Sequence, residues 1–251
     1  MLLIYLHDIS TRCDYVFDFI FKQELGIDYR VTTDIKAFKE YNEEKLNYSD
    51  TKTENEIFIK PSSLLFENGI KKKEIIVEQK GNLKILFPND DDDLGFDIFS
   101  AVFYLVSRYE EYLPFIPDEF GRFKAADSLA FQNNFLQKPV VNIWINIFKN
   151  ILQEKFSFLK MKSSEFDAIL TYDIDVAYKY KGRSLGRIIG ASLKDFCAFK
   201  IKNIINRKIT LLKIQKDPWD VYDDLKDSIL NHTIFIINSI MPRIIILMKI
   251  K

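Results

Sequence analysis

The sequence predicts an α/β protein assembled in two parts. Through roughly the first 160 residues, short β-rich apolar runs alternate with segments whose apolar residues recur at helical spacing. A polar break, "KMKSSEFD", follows, and a strand–turn–helix pattern restarts near residue 163, where we place a domain boundary. A hydrophobic content of 47% over 251 residues is enough for one large core or two modest ones and excludes the disordered and collagen-like classes.

"LLIYL" at Leu2–Leu6 reads as the first strand. In "DYVFDFIFKQEL" the residues Val16, Phe17, Ile20, Phe21 and Leu25 fall at helical intervals behind Asp14, the expected cap. "YRVTT", "IFIKP" and "KEIIVEQKGNLKILF" are β-rich, and Gly81–Asn82 between two apolar runs marks a hairpin turn. The polar stretch Asn42–Glu56 between these runs reads as a surface loop.

At "PNDDDDLGFD" consecutive aspartates repel one another, so a solvated turn ahead of a helix is expected; the ordered calcium-loop pattern is missing. The following "FDIFSAVFYLVSRYEEYL" is apolar almost all round, including Ile98, Val102, Leu105 and Val106, with Arg108, Glu110 and Glu111 at its wet end. After a turn at Gly121, a helix is expected from about Pro139, with Val141, Ile145, Ile147, Phe148 and Ile151 facing inward.

Charge and cysteine narrow the function classes. Basic and acidic residues balance at 36 each, so no overall field draws the chain to nucleic acid. Cys13 and Cys197 lie far apart and outside any zinc spacing, which fits a reduced chain without a disulfide framework. The start, "MLLIYLHDISTRCDYVF", lacks a basic n-region and meets His7 and Asp8 before an apolar run could form, so no secretory signal is read and a cytoplasmic location is expected.

One segment is strongly basic. Between Lys179 and Lys216 stand Lys179, Lys181, Arg183, Arg187, Lys194, Lys200, Lys202, Arg207, Lys208, Lys213 and Lys216 against the single acid Asp195. Interleaved Leu185, Ile188, Ile189, Leu193, Phe196, Phe199, Ile204 and Ile205 make it amphipathic. Two readings stand: a contact with an anionic membrane surface or acidic polymer, or a solvated helical face whose apolar side packs on its own domain.

The stretch "FDAILTYDIDVAY" ends an apolar run with Asp173 and Asp175. Strand alternation with period two puts both carboxylates on one side, where they could share a divalent cation whose bound water becomes acidic. The plain alternative is a strand running into a turn.

"ILTYDIDVAYKYKG", with "FDIFSAVFYLVSRYEEYLPF", "DEFGRFKAADSLAFQNNFLQKPVVNIWI" and "DPWDVYD", resembles bacterial polysaccharide deacetylase family proteins of the carbohydrate esterase family 4 type. These pair an N-terminal α/β domain of uncharacterised role with a distorted (β/α) deacetylase barrel. The resemblance implies a domain over residues 1–163, the first portion of such a barrel over 164–230, and a polysaccharide substrate with a zinc-like divalent metal in the relatives. Carried over, Asp173 matches the catalytic base and Asp175 the metal-binding aspartate, although Ile174 stands where the usual motif has its second aspartate.

The family's second motif, H-x-x-x-H, has no counterpart. Only His7 and His232 occur, and the partner position of His232 is Ile236. Both read as structural or surface residues, and no metal is expected to bind tightly. A barrel of this kind takes ~250 residues, and the closing "NHTIFIINSIMPRIIILMKIK", residues 231–251, reads as an aberrant, frameshifted tail of a truncated chain. A membrane-spanning tail is disfavoured by Arg243 within a short apolar stretch. The expectation is an inactive deacetylase-like protein, the alternative a non-catalytic module binding glycan, a partner or a membrane surface.

Overall fold

The structure, a computed structural model, describes residues 1–162, 169–174, 176–223, 234–239 and 246–249. The chain is mixed α/β and divides into two compact units, Met1–Ser163 and Ser164–Lys251.

The first unit is built on an all-parallel sheet of strand order β2-β1-β3-β4. From β1 (Leu2–Leu6) the chain passes through α1 (Thr11–Phe17) and a continuing π-helical stretch (Asp18–Leu25) to β2 (Tyr29–Thr32). It then crosses back by α2 (Ile35–Glu40) to β3 (Lys45–Tyr48) on the opposite side of β1, and β4 (Ile57–Ile59) lies outside β3. Ser10 rather than Asp14 caps α1: its hydroxyl accepts from the Cys13 N–H at 3.1 Å, and Asp14 sits within the first turn. Gly26 ends the helical run at φ 65°, where a Cβ would press on Lys162 at 3.1 Å.

Val16, Phe17, Ile20, Phe21 and Leu25 are all buried, as their spacing predicts, and pack with Leu2, Ile4 and Leu6. The hub is Phe99 of α3 (Ile98–Val106), whose ring centre lies 4.9 Å from Phe17, 5.0 Å from Tyr48 and 5.8 Å from Phe148. The other face of β1 sets Tyr5 against Phe38 of α2 at 5.3 Å.

The stretch expected to be a surface loop contains the central strand β3. Its four residues are all buried, although two are polar. Asn47 can be there because its amide donates to Glu56 and to the Thr51 carbonyl, both at 2.8 Å, and accepts from the Ser49 hydroxyl at 2.6 Å. Four residues flanked by charges carry too little apolar signal to announce a strand.

The aspartate run is likewise more than a solvated turn. β4 is one edge of the sheet, and the N–H groups of Phe58 and of Lys60, just past its end, donate to the carboxylates of Asp93 (2.9 Å) and Asp92 (3.3 Å). Asp92 also accepts from Leu94 and Gly95, while Asp93 pairs with Lys52 at 2.6 Å and Asp91 with Lys60 at 2.9 Å. Carboxylates thus occupy the positions at which another strand would add.

The hairpin forms as expected: β5 (Val77–Lys80) and β6 (Leu83–Leu86) pair antiparallel across Gly81 (φ 61°) and Asn82. The long apolar helix is shorter than its pattern. After α3 the chain turns at Arg108 (φ 55°) into a 3-10 turn, Tyr109–Tyr112. Glu110 is not at a wet end: it is half-buried and accepts from the Leu129 N–H of α4 (Leu129–Gln132) at 2.8 Å. Burial, only partly offset by that bond, raises its carboxyl above the ordinary value.

In α5 (Val140–Lys155) the buried line is Trp144, Phe148 and Leu152, with Val140 and Ile145 beside it; Ile147 points outward. The Trp144 indole donates to the Lys84 carbonyl at 2.9 Å, tying α5 to β6.

The second unit contains β7 (Ile169–Ile174), α6 (Leu185–Cys197), α7 (Ile201–Leu211), β8 (Ile234–Ser239) and β9 (Ile246–Lys249). β7 and β8 are parallel, and β9 is antiparallel to β8. The closing stretch, which shows no period in sequence, therefore supplies two strands; continuous apolar runs suit a central strand such as β8. Among the described residues, no helix is long and apolar enough to cross a membrane.

Two outcomes follow. A polypeptide ending at Lys162 should melt cooperatively by itself, because the aromatic core draws on the first unit alone; a non-cooperative thermal transition would contradict this. Asp97→Ala, which removes the α3 cap and strands a buried Tyr48 hydroxyl, should cost roughly 3 kcal/mol by urea denaturation.

Candidate functional site

Asp173 is the penultimate residue of β7, in register with Asn238 of β8. In parallel α/β sheets, ligand sites form at the C-terminal ends of strands, which is the end Asp173 occupies. Asp175 and His232 lie outside the described residues. His7 belongs to the first unit and rests on the Phe66 ring, centres 4.1 Å apart.

The chain just beyond this strand is held by Asp217, a residue that sequence reading left without a role. Its buried carboxylate accepts from the backbone N–H groups of Lys179 and Tyr180, each at 2.8 Å, and of Lys181 and Trp219, each at 3.1 Å. Burial by itself would raise the Asp217 carboxyl, but these four donors together hold it below the ordinary carboxylate value. The Asp-Pro dipeptide at 217–218 signals a turn, not the distant amides that the carboxylate collects.

Around this clamp the aromatic rings and cations interleave. Tyr180 is buried beneath the Arg207 guanidinium at 5.4 Å, and the Tyr178 and Tyr222 rings are 5.9 Å apart. Lys179 lies 6.0 Å over Trp219, and Lys181 pairs with Asp220 at 3.4 Å.

The basic residues divide into two groups. Arg207 is buried and faces inward: it donates to Ser192 at 2.9 Å and to Asp195 at 2.5 Å, joining α7 to α6. Its expected place on a charged surface is thereby corrected. The bond to Arg207 is also the main reason that the Asp195 carboxyl lies below its ordinary value. Arg183 donates to the Lys179 carbonyl at 2.9 Å, whereas among the described residues Arg187, Lys194, Lys200, Lys202 and Lys208 have no carboxylate within ion-pair distance.

Among the described residues, no three His, Cys, Asp or Glu side chains come together. The sequence motif offers two carboxylates and no histidine, short of the three protein ligands that a catalytic zinc takes.

In the first unit the strand order reverses between β1 and β3, the place where doubly wound sheets open a ligand crevice. Here the chain fills it with its own turn, Leu64–Phe66. Ser10 donates to the Leu65 carbonyl at 2.5 Å, Arg12 to the Leu64 carbonyl at 2.7 Å, and Phe66 stacks on Tyr48 at 5.7 Å. Beside it, a recess of about 290 Å³ between Lys60, Ser62 and Phe87 reaches the buried Asp97.

Asp217→Asn should release the clamp, since an amide cannot accept from all four donors. Hydrogen exchange at Lys179, Tyr180 and Lys181 should accelerate by about tenfold or more, at ~1.5–3 kcal/mol for charged hydrogen bonds. Because the folded-state value of Asp217 is lowered, its contribution is full above the ordinary carboxylate value and is lost as pH falls through the lower folded value. The wild-type amides should therefore lose protection only in that acidic range; unchanged protection there would contradict the assignment.

No curated protein and no solved structure matches the chain. A family described as a family of unknown function (DUF7033) matches residues 2–157, which is the first unit nearly from end to end. Because the match spans more than half of the chain, this protein belongs to the DUF7033 family.

Proposed function

We propose that this chain joins a DUF7033 domain to the opening part of a polysaccharide deacetylase-type (β/α) barrel beginning near residue 164. In relatives of that type, a divalent metal would supply the activated water that removes acetyl groups from a polysaccharide. By resemblance of the sequence motif, Asp173 would be the catalytic base and Asp175 a metal-binding aspartate. The observation that carries the reading is that the T-Y-D-I end of β7 lies at the C-terminal end of a strand paired in parallel with β8. The Asp217 clamp adds support, since it holds the backbone next to that end. A reduced, cytoplasmic setting accords with the two unpaired cysteines.

This chain by itself is a poor catalyst in that reading. Its two motif carboxylates lack the histidine pair, so zinc binds weakly and acetylated chito-oligosaccharides or acetylated xylan are not turned over. Calorimetric zinc titration and acetate release measure both. Turnover that disappears in Asp173→Asn would overturn the claim of inactivity while strengthening the family assignment. Tight zinc binding unaffected by Asp173→Asn and Asp175→Asn would remove the metal role of the motif.

A further inference from the structure

We propose that the hairpin of α6 and α7 is a docking surface for an anionic phospholipid bilayer. The two helices are joined by Ala198–Phe199–Lys200 and held to each other by a polar contact, Arg207 to Asp195 and Ser192. Ile188, Ile204 and Ile209 are half-buried, whereas a further set of apolar residues stays outside. On α6, Leu185, Ile189, Leu193 and Phe196 recur at helical spacing and are all exposed. On α7, Ile201 and Ile205, with Leu212 just past its end, form a second exposed row, and at 3.6 residues per turn Lys202 and Lys208 fall on either side of it. The expectation that the apolar side packs on its own domain does not describe these rows.

The turn between the helices points the same way. Phe199 adopts φ 57°, a left-handed conformation that a bulky aromatic residue rarely takes, and its side chain is 90% exposed. Asparagine or glycine would suit this backbone better, so folding alone does not explain a phenyl ring at this tip. Lys200 stands next to it.

Charge selects the occupant. Eleven bases face one acid between residues 179 and 216, and that acid, Asp195, is neutralised by Arg207. A second copy of the chain would bring like charges together over the apolar rows. A soluble acidic polymer would engage the lysines and leave those rows wet. An anionic bilayer satisfies both, with phosphate at the lysines and acyl chains at Leu185, Leu193 and Phe199.

The test is co-sedimentation of the full chain with phosphatidylcholine vesicles, with and without phosphatidylglycerol. Binding should require phosphatidylglycerol and fade as salt shortens the Debye length from ~10 Å at 0.1 M to ~3 Å at 1 M. K202Q/K208Q should weaken partitioning by about 30-fold, roughly fivefold per base. Phe199→Asn should weaken it without lowering the thermal midpoint, because asparagine accepts the left-handed backbone. Both lysines are exposed, so the double variant remains decisive even if Phe199→Asn unfolds. Equal binding to neutral and anionic vesicles, or binding unchanged in both variants, would overturn the proposal. So would heparin binding without vesicle binding, or concentration-dependent self-association without it.

Discussion

The first unit depends on one buried carboxylate. Asp97 accepts from the Tyr48 hydroxyl at 2.9 Å, from the Ser62 N–H at 2.8 Å and from the Ser100 N–H at 3.1 Å. It thereby joins the central strand β3, the chain leaving the edge strand β4 and the first turn of α3, which carries the hub Phe99. Burial raises its carboxyl above the ordinary value, and the bonds from Ser100 and Ser62 pull the other way. The aromatic packing of Phe17, Phe99, Tyr48 and Phe148 lies within the larger core and needs α3 set at the right angle and height. Asp97 sets both, since it is at once the cap of that helix and the acceptor for two other segments.

The same device recurs at two other places where the chain leaves regular structure. Asp92 and Asp93 accept from the edge of β4, and Asp217 gathers the amides that follow β7. In each case an aspartate occupies a position where backbone N–H groups lack strand or helix partners. A carboxylate can serve several donors at once, whereas a serine or asparagine offers fewer acceptor sites. That economy explains why a run of four aspartates, which should repel one another in water, can be accommodated: three of them have backbone or lysine partners.

This pattern also marks the limit of what the sequence reveals. Elements with a strong period or a decisive turn were legible: α1 and its π-helical continuation from Val16, Phe17, Ile20, Phe21 and Leu25, and the β5–β6 hairpin from Gly81–Asn82. β3 was not, because "KLNY" buries a lysine and an asparagine whose partners, Phe38 and Glu56, are distant or out of pattern. Glu110 and Arg207 were misplaced for the same reason: a charge reads as exposed until its partner is known, and Leu129 and Asp195 lie far outside any local window. Of the candidate site, the position of Asp173 near a strand end was readable from apolar run and spacing. The Asp217 clamp was not, because its donors come from a segment about 40 residues earlier in the chain.

Between β7 and β8, the described helices α6 and α7 carry their apolar residues differently from an ordinary crossover helix. A crossover helix normally covers its sheet with its apolar stripe, so that strand and helix bury each other. Here α6 and α7 are joined by the polar Arg207–Asp195–Ser192 contact, and the rows of Leu185, Ile189, Leu193 and Phe196 and of Ile201 and Ile205 remain at the surface. A helix pair whose only task was to cover a sheet would reverse that distribution. Asp217 gives the reason that such a hairpin can be carried at all: by fixing the backbone at Lys179–Lys181 to the residues that follow α7, it closes the segment at its base. The helices between are thus bounded by backbone that four hydrogen bonds to one carboxylate fix in place.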